Sequence, residues 1–334
     1  MDDISATNTR PIAILAGYMA TAAALTAWCI SIIRSRPAVA GLSASEKSRR
    51  RTAVAVFGVL AALSLATTWY HMFRFFQWSY LQWAASHPLD DPSALYLGRW
   101  LRDTGLFRQA WASTLETRPR AWWSTQIFGF CANWSVMLAT QSKKRNIPHL
   151  WAFMLLGQFV AISFASNLSF LAFTVYDVAG QSHPVSGDKS GRTTVAQTPP
   201  PKSTTSASSS APFWWLVILG VNVSIAVFIP ELCDHPRFMQ FLLLPHILAF
   251  GPLLVNSLSP GQVPPHLLNQ PPLLLKIGTM ALLLVSASHK VLAEGGDLDL
   301  VISTLHQHPA VSSVGWDVIC CWMSFVAWHV FGQE

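Results

Sequence analysis

Charged side chains are scarce in this sequence. They make up 11% of the 334 residues, whereas hydrophobic residues make up 51%. The apolar residues form runs of about 20, longer than the core of a soluble domain needs. The net charge of +6 comes from basic residues in short loops between the runs, where membrane orientation and lipid headgroups account for them. We therefore expect an all-α, polytopic membrane protein in a lipid bilayer, with no nucleic-acid partner.

Motifs for cofactors and metals are missing as well. The five cysteines have no C-x-x-C spacing, so neither a disulfide framework nor a zinc site is indicated. The sequence contains no phosphate-binding loop, dinucleotide fingerprint, H-E-x-x-H pair or G-x-S-x-G elbow. Asp90 and Asp91 lack the third aspartate of a magnesium-binding prenyl diphosphate site, and His306 and His308 lack companion ligands. We expect neither a metal nor a cofactor.

Eight apolar runs predict one bundle of about eight transmembrane helices. They cover residues 11–33, 52–75, 121–140, 149–176, 213–232, 238–258, 271–292 and 309–331. Basic clusters follow the first and third runs, so these two loops are expected in the cytosol. Eight crossings would then place both termini in the lumen, most simply that of the endoplasmic reticulum.

Two further segments do not have the composition of a span. Residues 93–112 place aromatic side chains on one face and charged ones on another, which predicts an amphipathic helix on the lumenal membrane surface. This helix would serve as a surface anchor or as a lid over a cavity. Residues 180–212 are rich in Ser, Thr and Pro and predict a disordered linker within the single bundle.

The last span carries a carboxylic acid, Asp317, where lipid-facing residues are expected. Ser313, Cys320 and Ser324 fall on the same helical face, which indicates that this face points into the protein. In an eight-span topology Glu231 and His289 belong to the same cytosolic half as Asp317. We therefore predict a catalytic group in which Asp317 donates a proton and Glu231 or His289 tunes or resets it. The structural alternative is that Asp317 pairs with His289 or caps a neighbouring helix.

Other polar and aromatic residues within the spans are candidates for substrate binding. Gln126 and Asn133 are seven residues apart on one helical face and could orient a substrate oxygen. Trp134 and Trp316 lie deep enough to shield a positive charge in a dry pocket, and the alternative role of each is core packing. His71 either reaches the lipid headgroups or binds a lumenal ligand.

Four short stretches resemble a known family. They are 100–111 (WLRDTGLFRQAW), 122–126 (WWSTQ), 149–165 (HLWAFMLLGQFVAISFA) and 314–317 (VGWD), and they look like the fungal membrane-bound terpene cyclases of the ascofuranone type. The resemblance implies cyclisation of a lipophilic, epoxidised and farnesylated aromatic in secondary metabolism. An acid would protonate the epoxide, and an internal hydroxyl or alkene would close the ring. The resemblance assigns no catalytic residue, so the role of Asp317 follows from its position alone.

Two other classes of function remain open. A carrier for a small solute or lipid could use Asp317 and His289 to relay protons, although the proline breaks of the sixth span have no clear counterpart in the first four spans. A scaffold for other enzymes would use the polar residues only for packing. The sequence indicates no particular oligomeric state.

Overall fold

The computed structural model describes residues 9–36, 43–88, 91, 93–176, 211–258 and 273–332. All regular secondary structure in these residues is helical, which confirms the all-α prediction. The helices are α1 Thr9–Arg34, α2 Ala44–Ser86, α3 Leu97–Asp103, α4 Leu106–Leu115, α5 Arg118–Arg145, α6 Leu150–Phe159, α7 Ile162–Val175, α8 Ala211–Phe228 with a 3-10 turn Ile229–Leu232, α9 Phe238–Leu248, α10 Gly251–Leu258, α11 Leu273–Ala293, α12 Leu298–Thr304 and α13 Pro309–Phe331. The predicted linker 180–212 lies outside the described residues except for its last two positions, which begin α8.

Five stretches of the described chain are long and apolar enough to cross a membrane: α1, α2, α8 with its 3-10 turn, α11 and α13. Helices α9 and α10 meet at an angle of 44° and make a sixth candidate when they are counted as one bent span. Pro245 lies inside α9, and Pro252 lies at the start of α10. The chain is thus a multi-pass membrane protein.

Helix α5 contains the predicted third span, 121–140, although as a helix it is too polar to count among the five or six candidate spans. Its 28 residues extend about 42 Å, and other helices rather than lipid surround it. Asn133 exchanges hydrogen bonds with Thr279 of α11. Gln126 accepts one from Trp322 of α13, at 3.0 Å. Because these polar groups find protein partners, a central helix of this composition is stable inside the bundle.

The predicted fourth span, 149–176, is a helical hairpin that enters and leaves the bundle at the same end. Arg145, at the end of α5, donates to the carbonyl oxygens of Phe173 and Tyr176 at 2.7 and 2.8 Å. The Tyr176 hydroxyl donates to Ile32 O, near the end of α1, at 2.9 Å. The carboxyl ends of α1, α5 and α7 therefore lie together.

The tip of this hairpin lies deep inside the bundle. Phe159, the last residue of α6, accepts a hydrogen bond of 2.5 Å through its carbonyl from the hydroxyl of Tyr18, midway along α1. Ring contacts of Trp28 with His149 and Trp151 place the start of α6 nearer the carboxyl end of α1. Thus α6 runs inward for ten residues and α7 runs back outward for fourteen.

With a hairpin in place of the fourth span, the six candidate spans and α5 would make seven crossings, one fewer than predicted. Helices α2 and α13 are antiparallel, since Ser313 donates to Thr68 O at 3.1 Å and Arg49 donates to Gly332 O at 3.2 Å. Gly332 therefore lies at the end of the bundle that carries Arg49 and 143–145, which we call the basic end. The amino end of α1 points to the opposite end, which we call the α4 end. The structure does not support the prediction that both termini lie on one side.

Helix α2 continues well beyond the predicted limit of residue 75 and supports two short helices at the α4 end. The predicted single helix over 93–112 is two helices, α3 and α4, which break at Thr104 and Gly105. Trp83 Nε1, near the end of α2, donates to Asp103 Oδ2 at 3.3 Å. A hydrogen bond from Arg102 lowers the pKa of Asp103, so this anchoring carboxylate is ionised at neutral pH.

A chain with seven crossings should carry its two termini on opposite sides of the membrane. We expect an epitope tag at the carboxyl terminus and a tag inserted between α1 and α2 to be accessible from one face of sealed vesicles. A tag at the amino terminus should be accessible only after the vesicles are permeabilised. Exposure of both terminal tags on the same face of sealed vesicles would contradict the hairpin.

Candidate functional site

A cavity of about 220 Å³ lies between the tip of the α6–α7 hairpin and α4. Seven helices besides the hairpin contribute to its wall, among them α4, which closes it at one end. The aromatic part of the wall consists of Tyr18, Phe75, Phe107, Trp111, Phe128 and Phe159. The polar part includes Thr68, Thr114, Gln158, Asn222, His246, Ser313 and Asp317. The cavity is thus an apolar chamber with a few hydrogen-bonding groups, which is the usual character of a small-molecule site.

Asp317 holds the inner end of α7. Its Oδ1 accepts a hydrogen bond from the backbone N–H of Ser163 at 2.8 Å, and its Oδ2 accepts one from Ile162 at 3.1 Å. These N–H groups have no partner within α7 because they lie in its first turn. The positive end of the helix dipole also favours a carboxylate there. Asp317 therefore caps a neighbouring helix, as the structural alternative predicted, and at 8% exposure it also forms part of the cavity wall.

Partners from distant parts of the chain stabilise the break between α6 and α7. The residues at the break, Val160 and Ala161, are neither proline nor glycine. The hydroxyl of Tyr18 binds the last carbonyl of α6, and Asp317 binds the first N–H groups of α7. Side chains thus bind one carbonyl and two N–H groups of the interruption, as a break at membrane depth requires.

His246 is a second functional candidate, which is not among the site residues predicted from the sequence. Its Nδ1 lies 2.8 Å from Leu242 O, and a carbonyl can only accept, so Nδ1 carries the proton. In the neutral ring Nε2 is then a proton acceptor. Trp111 and Phe128 contact the ring edge-on, at 5.8 and 5.7 Å between centroids. The only sequence signal was an ionisable residue in mid-span directly after Pro245.

The structure does not bring Glu231 and His289 to Asp317. Arg118 and Lys290 form salt bridges to Glu231 at 2.7 and 3.1 Å, and His289 is exposed on α11. Neither residue lines the cavity. The prediction of a catalytic group made of these three residues is therefore not supported by their positions. The salt bridges instead join α5, the turn after α8 and α11 at the α4 end.

The predicted substrate-binding residues also lie outside the cavity wall. Gln126 and Asn133 bind neighbouring helices, as described above. Trp134 is completely buried and donates to Ser169 Oγ at 3.0 Å. It packs so closely on Gly157 that a Cβ at this position would lie 2.8 Å from the indole ring. Trp134 thus supports the hairpin tip from behind the cavity.

Trp316 and His71 face a different region of the molecule. Trp316 is half-buried, and its ring centroid lies 6.5 Å from that of His306. His71 lines a second pocket together with Arg74 and His306. Neither side chain contributes to the wall of the Asp317 cavity.

The chain matches no family model, no curated protein and no solved structure in comparisons with known proteins.

The cap made by Asp317 should contribute measurably to stability. Replacing Asp317 with Ala leaves two buried N–H groups without a partner, so we expect a loss of about 1–3 kcal/mol. Asp317→Asn should lose less, because its amide oxygen can still accept one hydrogen bond. Thermal unfolding of the detergent-solubilised protein measures both changes, with Asp299→Asn on the exposed start of α12 as control. Equal unfolding temperatures for Asp317→Ala and the parent protein would contradict the capping role.

Proposed function

We propose that this chain is an integral membrane terpene cyclase that acts by acid-initiated cyclisation of an epoxidised, prenylated aromatic. The observation that carries the proposal is a carboxyl group, that of Asp317, in the wall of an aromatic cavity within a membrane bundle. An epoxide needs a proton to open, and the resulting carbocation needs a dry, electron-rich surrounding. The resemblance of the four short stretches to fungal cyclases of secondary metabolism agrees with this chemistry.

In the proposed reaction Asp317 starts in its protonated form, because burial among apolar side chains opposes the charge that the two N–H groups favour, and it gives its proton to the epoxide oxygen. One carbon–oxygen bond of the epoxide breaks, and an internal hydroxyl or alkene attacks the carbon from which the oxygen departs. The hydrogen bonds from Ile162 and Ser163 then stabilise the carboxylate that remains. No external reagent is consumed, because the product is an isomer of the substrate.

The proton released at the end of the cyclisation needs a base in the same cavity. Nε2 of His246 fits this task because Nδ1 is already occupied by Leu242 O. Trp111 and Phe128, which contact the imidazole, offer aromatic faces to the passing cation. His246 then returns this proton to Asp317, which is the resetting role that the sequence analysis assigned to Glu231 or His289.

The location of the protein is part of the same proposal. The basic end carries the cytosolic signature of Arg and Lys loops, so we assign it to the cytosol. The cavity then lies in the lumenal half of the endoplasmic reticulum membrane, with the amino terminus lumenal and the carboxyl terminus cytosolic. Asp317 follows the start of α13 by eight residues, which puts it about 12 Å below the α4 end. A lipophilic substrate could reach this depth from the bilayer.

The activity can be tested with membranes that contain this protein alone. We expect an epoxidised farnesyl-phenol to be converted to a product of unchanged mass. Asp317→Asn should slow the conversion roughly 100-fold or more, since general acids contribute factors of this size. His246→Gln should also slow it, whereas Asp299→Asn should not. A folded Asp317→Asn protein that cyclises at the parent rate would exclude Asp317 as the acid.

A proton-coupled carrier is the second candidate, and one observation favours it. Two interrupted elements, the α6–α7 hairpin and the α9–α10 pair, meet at the same cavity. Carriers often form their binding sites from such broken helices. The carrier hypothesis predicts uptake of an unchanged solute into proteoliposomes and no isomer in the membrane assay. The same preparation therefore distinguishes the two functions.

A further inference from the structure

A second pocket lies at the α4 end, beside the seam between α2 and α13. Its volume is about 420 Å³, and it shares no lining residue with the Asp317 cavity. The basic residues of its wall are His71, Arg74 and His306, and the remaining ones are Tyr70, Gln77, Trp78, Leu81, Gln307, Pro309 and Ser312. The proposed cyclisation does not use this pocket.

The wall of this pocket carries the permanent positive charge of Arg74, with two imidazole rings beside it. His71 lies close to both Arg74 and His306. Among the described residues that line the pocket there is no aspartate or glutamate. The exposed Arg74 donates one hydrogen bond, of 3.3 Å, to the neutral side chain of Gln77. Three basic groups that converge in this way favour an anionic ligand.

The start of α13 adds to this preference. Pro309, its first residue, and Ser312 lie in the wall of the pocket. The amino end of a 23-residue helix carries partial positive charge, which attracts anions. The hydroxyl of Ser312 donates to Leu305 O at 2.7 Å, so it shapes the wall rather than binding a ligand.

Apolar groups beside the basic residues indicate that the anionic group belongs to a lipid rather than to a free ion. Tyr70 and Leu81 are 61% and 58% exposed, and Trp78 lies between them in the wall. The start of α13 marks the level at which the apolar part of the bundle ends. Aromatic and basic side chains at this level are typical of the zone of lipid headgroups.

We propose that this pocket binds the phosphate of an anionic phospholipid. Arg74 presents its guanidinium fork to two phosphate oxygens, and the imidazole N–H groups of His71 and His306 donate to the others. Tyr70, one turn closer to the bilayer centre than Arg74, contacts the glycerol and the first carbons of the acyl chains. Trp78 and Leu81, on the other side of Arg74, line the outer rim of the pocket. A free phosphate ion has the same charged group but lacks the apolar part that Tyr70 recognises.

The proposal can be tested by native mass spectrometry of the full-length protein in a neutral detergent. Phosphatidic acid is the probe, and diacylglycerol with the same acyl chains and inorganic phosphate are the two comparison ligands. We expect phosphatidic acid to remain bound and the diacylglycerol to be lost. Arg74→Gln and His306→Gln should each weaken retention of phosphatidic acid roughly tenfold, the usual size for one charge-assisted hydrogen bond.

Arg108→Gln is the matched control, because Arg108 is an exposed arginine of α4 that does not line the pocket. It should retain phosphatidic acid as the parent protein does. Equal retention by Arg74→Gln and Arg108→Gln, with both proteins folded by thermal unfolding, would overturn the site. Displacement of phosphatidic acid by inorganic phosphate at equal concentration would overturn the assignment to a lipid.

Discussion

The structure depends on the contact between the Asp317 carboxyl group and the first N–H groups of α7. A helix that begins inside a membrane bundle exposes backbone donors where no water is available. Asp317 satisfies the donors of Ile162 and Ser163 from a different helix. A carboxyl group at this depth is costly on its own, and so is an uncapped helix end. The hydrogen bonds between the carboxyl group and the helix end offset the cost of burying both. The chain can therefore turn back in mid-membrane.

This turn determines both the topology and the site. Because α6 and α7 do not cross, every later helix runs in the direction opposite to that expected from eight spans. Glu231, His289 and Asp317 then lie toward the α4 end rather than the basic end. The same turn leaves space above the hairpin tip, which α4 closes with Phe107 and Trp111. The groups proposed for chemistry, Asp317 and His246, both face this space.

Much of the fold could be predicted from sequence because apolar runs report lipid contact directly. The all-α class followed from this signal, and so did the importance of an inward-facing Asp317. The hairpin could not be predicted, since residues 149–176 have the length and composition of a span and their break contains no proline or glycine. Its causes, Tyr18 and Asp317, are 141 and 155 residues away from the groups they bind. His246 could not be recognised as a site residue from the sequence, because its neighbours Trp111 and Phe128 come from other helices.

Amide hydrogen exchange at the hairpin tip is the most direct test of whether Asp317 holds the start of α7. In the parent protein the amides of Ile162 and Ser163 are held by a buried carboxyl group and should exchange slowly. In Asp317→Ala they should exchange much faster, while the amides in the middle of α5 keep their protection. Equal protection of the tip in both proteins would show that Asp317 does not hold α7.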